Sequence, residues 1–291
     1  PLTLTLQILF DSLLLGSLLA VGALGFSLVW GVLNVLNLAY AAYIMLGGYL
    51  SFWLWTQGCD YLLSIPLTMA ALFILGWGMQ RYIIDYVVDG PATLSITLTY
   101  GVNLALVGLA FYFFTAVDRS VITPDYMNGY WQIAGAKLPY ARAVTVVIAV
   151  LLTGAAWWVF DRTELGASIR ATRLDMEAAR LVGINVRNVF DLTTGFSAAL
   201  AGAMGSLIVL TYGISPLTGD QFLLQILIVT VLGGLGSVVG PLVGAAVVGG
   251  ATSLTANLFG STYSVLVGTA IVLVVLAVRP SGLLGKRFYE T

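Results

Sequence analysis

Histidine is absent from this sequence of 291 residues, and cysteine occurs once, as Cys59. Without histidine, Ser-His-Asp triads, HExxH zinc sites and histidine proton relays are excluded. A single cysteine can form neither an intrachain disulfide nor a cysteine-ligated zinc site. The GxxxxGK[ST] phosphate-binding loop is missing too, since Gly282 and Gly285 before Lys286 have the wrong spacing. We therefore predict no metal site, no cofactor and no ATP hydrolysis by this chain alone.

Charge is also scarce. Only 9% of the residues are charged and 59% are hydrophobic, whereas soluble domains carry about 25% charged residues. A soluble protein of this composition would lack polar side chains to cover its surface, so its solvent must be lipid. The net charge of −1 and the lack of a basic patch argue against nucleic acid as a partner.

Long apolar segments predict an all-α, polytopic transmembrane helical bundle of eight or nine spans, forming one membrane domain over residues 1–291. The start has no basic region or cleavage site, so we expect its first segment to be a retained transmembrane helix. Segment 220–235 is short and ends in glycines, which favours a broken or re-entrant helix. The predicted spans are 8–30, 34–56, 62–80, 92–115, 141–160, 189–212, 220–235, 238–258 and 262–278.

Lysine and arginine predict the orientation of these spans. Five arginines lie in segment 161–188, and the tail carries Arg279, Lys286 and Arg287. Both regions should therefore face the cytoplasm. By parity, the turn at 81–90 is also inside, while the connection 116–140 and the N-terminus are outside.

Segment 161–188 holds nine charged residues and has helical periodicity from 169 to 182. Its apolar stripe is Ala171, Leu174, Ala178 and Leu181. The spacing predicts two charge pairs, Arg173–Glu177 and Glu177–Arg180, and Gly183 is placed to end the helix. Such a helix could lie on the membrane surface or dock a cytoplasmic partner. The candidate docking residues are Arg170, Arg173, Asp175, Glu177, Ala178, Arg180, Leu181 and Gly183.

Amides and small residues stand out within the apolar segments. Asn34, Asn37 and Asn103 offer both donors and acceptors, which suits a path for a neutral or zwitterionic solute, although capping or interhelical hydrogen bonding explains them equally well. Asp11, Asp191 and Asp220 lie near predicted helix ends, so ion-coupled transport is disfavoured. Close helix packing, or a moving face, is predicted for two glycine-rich sets. These sets are Ala198, Gly202 and Gly205, and Gly233, Gly234, Gly236, Gly240 and Gly244.

Four motifs, in order, resemble permease subunits of bacterial ABC importers of the branched-chain amino acid type. The first block has Ala23-Leu24-Gly25, then NLAYA at 37–41 and Gly47-Gly48-Tyr49; the others are AARLVGIN at 178–185, VLGGLGSVVGP at 231–241 and RPSGLLG at 279–285. After Asn-x-Ala the family usually has His and Gly, whereas this chain has Tyr40 and Ala41, which weakens any inference about substrate.

The resemblance implies a second permease subunit, two cytoplasmic ATP-binding subunits and an extracytoplasmic binding protein. It also implies that 169–182 is the coupling helix that docks on the ATPase. An amino acid, branched-chain or neutral, is the expected substrate, with urea or a short amide as the alternative. A self-sufficient channel or secondary carrier remains open, whereas an intramembrane enzyme is disfavoured by the missing motifs.

Overall fold

The computed structural model describes residues 2–33, 35–87, 90–133, 135–234, 237, 239–260, 263, 266, 267, 270 and 274. Within these ranges the chain is a helical bundle with one small hairpin of two antiparallel strands, β1 Tyr130–Ile133 and β2 Ala136–Pro139. The helices are α1 Leu2–Leu33, α2 Tyr40–Thr56, α3 Tyr61–Tyr82, α4 Ala92–Phe114, α5 Tyr140–Arg162, α6 Glu164–Leu174, α7 Met176–Leu181, α8 Val186–Thr211, α9 Thr218–Gly233 and α10 Gly240–Phe259.

The predicted polytopic bundle is confirmed. In the part of the chain that the structure describes, six helices are long and apolar enough to cross a membrane, namely α1, α3, α4, α5, α8 and α10, and α9 is a shorter apolar helix. With α2, these helices overlap the first eight predicted spans, but α2 begins at Tyr40 and is shorter than the predicted span 34–56. The described residues therefore contain six helices of spanning length where eight or nine spans were predicted. Residues 220–233 of the predicted segment 220–235 lie in the short continuous helix α9. The ninth span, 262–278, lies largely outside the described residues.

Helix α8 is the centre of the bundle. In its most apolar stretch 89% of the residues are buried, against 17% in α5. Small residues explain this position, because they let neighbouring backbones approach closely. A Cβ atom on Gly205 would lie 2.0 Å from the Ile44 carbonyl oxygen of α2, and one on Gly76 of α3 would lie 2.4 Å from the Ala198 Cβ. The predicted small-residue face of α8 therefore packs against α2 and α3.

One end of the bundle carries the β1–β2 hairpin and is called the hairpin end. Here Arg119 and Ile214 exchange backbone hydrogen bonds of 2.9 and 2.7 Å, which join the connection 116–140 to the α8–α9 connection. Tyr126 donates to Asp60 at 3.0 Å and so ties in the α2–α3 turn. The predicted parity places these three connections on one side, and the contacts agree.

The opposite end carries α6 and α7 and is called the coupling end. Arg81, at the end of α3, pairs with Asp191 of α8 at 2.8 Å. Arg187 at the start of α8 pairs with Asp85 in the α3–α4 turn. The turn at 81–87 therefore lies beside the charged segment, as the parity requires.

The chain breaks between α1 and α2, where residues 35–39 are non-helical. The Tyr40 hydroxyl donates to the Gly22 carbonyl oxygen at 2.7 Å. Gly22 precedes the end of α1 by eleven residues, or about 16 Å of helix, so α2 begins well inside the bundle. Irregular backbone at such depth needs partners. Thr99 of α4 supplies one, because its hydroxyl oxygen accepts from the Leu38 amide at 3.2 Å. The same hydroxyl lies 3.3 Å from the Leu36 carbonyl oxygen.

Candidate functional site

The charged segment forms two helices, so the single predicted helix over 169–182 is wrong. Helix α6 ends at Leu174 and α7 starts at Met176, with Asp175 in an extended conformation between them (φ −159°, ψ 111°). The Asp175 carboxylate accepts from the backbone amides of Glu177 and Ala178 at 2.9 and 3.0 Å. Aspartate competes for backbone amides and is a strong helix N-cap. It therefore starts a new helix where the apolar periodicity alone predicts a continuous one.

This break decides which predicted charge pair forms. Arg173 and Glu177 fall on different helices and lose the i,i+4 geometry. Glu177 and Arg180 share α7 and form the predicted ion pair at 3.0 Å. Gly183 follows α7 with φ +88°, in the left-handed region, as predicted for the residue that ends the helix.

The break also divides the predicted apolar stripe. Ala171 is partly buried at the end of α6, whereas Ala178 is exposed on α7. Leu174, Leu181 and Val182 are 87%, 89% and 76% exposed. These three side chains, called the apolar tip, project from the coupling end. Several large apolar side chains exposed within one short charged segment are typical of a protein-docking surface.

The base of this segment is fixed to the bundle. Arg170 donates to the Phe160 carbonyl at the end of α5. A Cβ on Gly166 would lie 2.1 Å from the same carbonyl oxygen, so only glycine fits there. Ile169 is 6% exposed and packs in the core with Phe160. A segment anchored at its base and apolar at its tip can transmit a displacement of the tip to the bundle.

The Arg81–Asp191 ion pair beside this segment was missed by sequence reasoning, which placed Asp191 near a helix end and the turn at 81–90 on the same side but paired neither. The Asp191 side chain is 1% exposed, and a buried carboxylate generally requires a cationic partner. Thr194, one turn further along α8, donates to Gln80 at 2.9 Å. The sequence does place the opposite charges of Arg81 and Asp191 on the same side of the membrane. It does not show that these two residues, and not others on that side, form a pair.

Of the three candidate path amides, Asn34 lies outside the described residues. The Asn37 Oδ1 accepts from the Ala39 amide at 3.1 Å, which is a local cap. Asn103 is 2% exposed, and its Nδ2 donates to Asp220 Oδ1 of α9 at 2.9 Å. Its own Oδ1 is buried without a hydrogen-bond partner. Asn103 therefore joins α4 to α9, and sequence reasoning did not identify Asp220 as its partner.

The glycine-rich motif forms a tight junction between α9 and α10. A Cβ on Gly233 would lie 2.2 Å from the Gly240 carbonyl oxygen, and one on Gly244 would lie 2.4 Å from that of Val229. Gly234 has φ +101° and ends α9. Gly236 lies outside the described residues. The described glycines therefore bring two helices into backbone contact, the packing role that the spacing predicts.

Comparison with known proteins places this chain in a family. The family model for the branched-chain amino acid transport system permease component matches residues 8–276. The chain belongs to this permease family. A high-affinity branched-chain amino acid transport system permease protein, LivH of Salmonella typhimurium, is 30% identical and is aligned over 97% of this chain and 96% of its own length. The permease protein BraD of Pseudomonas aeruginosa is 28% identical with the same coverage.

A solved structure shares the fold of this permease family member. PsaBC from Streptococcus pneumoniae, solved in complex with Fab, superposes with a TM-score of 0.53 and covers 94% of this chain and 92% of its own. At 12% identity this likeness concerns the fold alone. The family membership and the apolar helices together identify a multi-pass membrane permease.

Proposed function

We propose that this chain is the permease subunit of a bacterial ABC importer, one membrane domain over residues 1–291 that moves branched-chain or neutral amino acids across the inner membrane. In this proposal the coupling end and the C-terminus face the cytoplasm, where arginine and lysine concentrate. The chain is itself non-catalytic, and ATP hydrolysis in two partner subunits drives transport. A second permease subunit and an extracytoplasmic binding protein complete the complex.

The observation that carries the proposal is the apolar tip, Leu174, Leu181 and Val182, on a segment anchored to α5. A helix pair between two spans, exposed at its tip and fixed at its base, suits a groove in a cytoplasmic protein. Burial of such side chains in a partner is favourable by about 1.5–3 kcal/mol each. We assign the ATPase contact to residues of this segment: Arg170, Arg173, Asp175, Glu177, Ala178, Arg180, Leu181 and Gly183.

Transmission from this contact runs through α8 in our proposal. Helix α7 leads directly into α8, where Asn185 caps the first turn by accepting from the Asn188 amide at 3.2 Å. Because α8 packs against α1, α2 and α3, a displacement of its first turn reaches most of the bundle. The α9–α10 glycine junction is the proposed moving face, and Asn34, Asn37 and Asn103 belong to the proposed path.

The coupling role is tested by reversing charge on α7 in the complete complex. Glu177→Lys and Arg180→Glu alter an exposed pair that contributes little to folding. We expect each variant to assemble but to lose most of the ATPase stimulation by the substrate-loaded binding protein. Arg162→Glu is the matched control, because Arg162 is 70% exposed and lies at the end of α5, away from the tip.

Unchanged stimulation in both α7 variants would refute the coupling assignment. The transport role has its own test in proteoliposomes containing the complete complex. ATP-dependent uptake of leucine is expected, and uptake of urea or a short amide instead would favour the alternative substrate. Solute movement by this chain alone, without ATP, would indicate a self-sufficient channel or carrier.

A further inference from the structure

A cavity of about 650 Å³ opens at the hairpin end, far from the coupling segment. Its walls come from α1, α5, α9, α10 and the α8–α9 connection. Small-molecule sites in proteins have volumes of about 300–1,000 Å³ and combine apolar walls with a few polar groups. This cavity has the size and the number of converging elements of such a site.

Charged groups of both signs line the cavity. Arg142, near the start of α5, pairs with Asp11 of α1 at 2.8 Å. Asn257 of α10 donates to the second carboxylate oxygen of Asp11 at 3.3 Å. These contacts hold the guanidinium at the wall, and its five N–H donors exceed what one carboxylate oxygen accepts. Asp118 adds a further carboxylate to the lining.

An unpaired acceptor is also present. The Gln225 Oε1 of α9 is buried and has no hydrogen-bond partner. A buried acceptor without a donor is unfavourable, so it calls for a partner that donates to it. Leu15 and Phe222 supply apolar wall next to it. An ammonium or amide donor attached to an apolar group would satisfy this arrangement.

We propose that this cavity binds the free apolar amino acid in transit, an inference that rests on the proposed transport function. Arg142 binds the α-carboxylate, while Asp118 and the Gln225 Oε1 accept from the α-ammonium. Leu15 and Phe222 contact the aliphatic side chain. The site then selects a zwitterion that carries an apolar group.

Charge balance supports a zwitterion over a simple anion. Arg142 and Asp11 neutralise each other, and Asp118 leaves one negative charge on the wall. An ammonium group is attracted there, and a carboxylate can bind only if the same molecule also brings that ammonium. An aliphatic acid without the amine should therefore bind poorly, and so should urea, which has no charge and no apolar group.

The test measures binding of radiolabelled leucine to the assembled complex in nanodiscs, without the binding protein. We expect competition by isoleucine and valine but not by 4-methylpentanoate, which lacks the ammonium. Arg142→Gln and Gln225→Leu should each weaken binding about tenfold or more, the loss of one hydrogen bond to a charged group. Lys137→Gln is the control, because it removes a positive charge from β2 at the same end but outside the cavity.

Gln225→Leu keeps the test informative if Arg142→Gln disturbs folding, since the Gln225 Oε1 has no hydrogen bond to lose. Three results would overturn the proposal: no leucine binding by a wild-type complex that does import leucine, wild-type affinity in Gln225→Leu, or competition by 4-methylpentanoate equal to that by valine. Failure of the proposed function would be a different result, namely no ATP-dependent import by the complete wild-type complex.

Discussion

Adding one methyl group at Gly205 tests whether backbone contact between α8 and α2 holds the bundle together. In Gly205→Ala the new Cβ would lie 2.0 Å from the Ile44 carbonyl oxygen and 2.7 Å from the Gly48 nitrogen. Both neighbours are backbone atoms, so rotating a side chain cannot relieve the clash. Helix α2 would have to move away from α8 by about 1.5 Å to restore an ordinary contact distance of about 3.5 Å.

Gly154→Ala is the matched control. Gly154 is also inside a long helix, but a Cβ there would have no neighbour within 4 Å. Alanine is favoured over glycine in a helix by about 0.8–1 kcal/mol, and this gain is common to both variants. The difference between them therefore isolates the packing term, which is about 1–3 kcal/mol for overpacking and larger where backbone must move.

The measurement is denaturant unfolding in mixed micelles, followed by circular dichroism of the helical signal. We expect Gly154→Ala to be at least as stable as the wild type and Gly205→Ala to be less stable than Gly154→Ala by at least 1 kcal/mol or so. Equal free energies of unfolding for the two variants would show that α2 and α8 tolerate separation, and would refute the close-packed centre.

Three further predictions concern single contacts. Arg81→Met leaves the buried Asp191 carboxylate without its cation, so the melting temperature should fall. The double variant Arg81→Met/Asp191→Leu should recover part of this loss, and no recovery would contradict the pairing. Asp175→Asn keeps the cap of α7 and should preserve the stimulated ATPase activity of the complex. Asp175→Leu lets α6 and α7 fuse and should reduce this activity. Equal activities of the two variants would show that the break between the helices is dispensable. Tyr40→Phe loses one buried hydrogen bond and should lower the free energy of unfolding by about 0.5–1.5 kcal/mol in the same micelle assay, and an unchanged value would contradict the deep start of α2.

Hydropathy predicted the helices well, because a lipid solvent demands long apolar segments whatever their partners. The grouping of the connections at two ends of the bundle was also predicted, because it follows from the order of the spans. Which end faces the cytoplasm stays a prediction from the positions of the arginines. Hydrogen bonding by side chains to the nearby backbone was predicted less well. The positions 171, 174, 178 and 181 keep a helical period across residue 175, yet the Asp175 side chain binds two backbone amides and divides the helix. The apolar period describes only the spacing of side chains along the sequence. It cannot reveal that a polar residue within the repeat caps a new helix.

Contacts between distant parts of the chain could not be predicted from the sequence. Arg81 and Asp191 are separated by 110 residues, and Asn103 and Asp220 by 117. Several acids and bases on each side could have paired equally well, since only the packing of α3 on α8 and of α4 on α9 selects among them. The depth at which α2 begins also escaped prediction, because it depends on the Tyr40 contact with α1.

The burial of α2 and α3 by α8 has a consequence for biogenesis. Tyr61 donates to the Ser206 carbonyl, a contact that spans 145 residues, and the glycine faces of α2 likewise meet helices made much later. A nascent chain that ends before Val186 holds α1 to α5 in the bilayer without the helix that joins them. The close packing around α8 therefore forms only after α8 has been inserted, and until then lipid or another protein must cover those glycine faces.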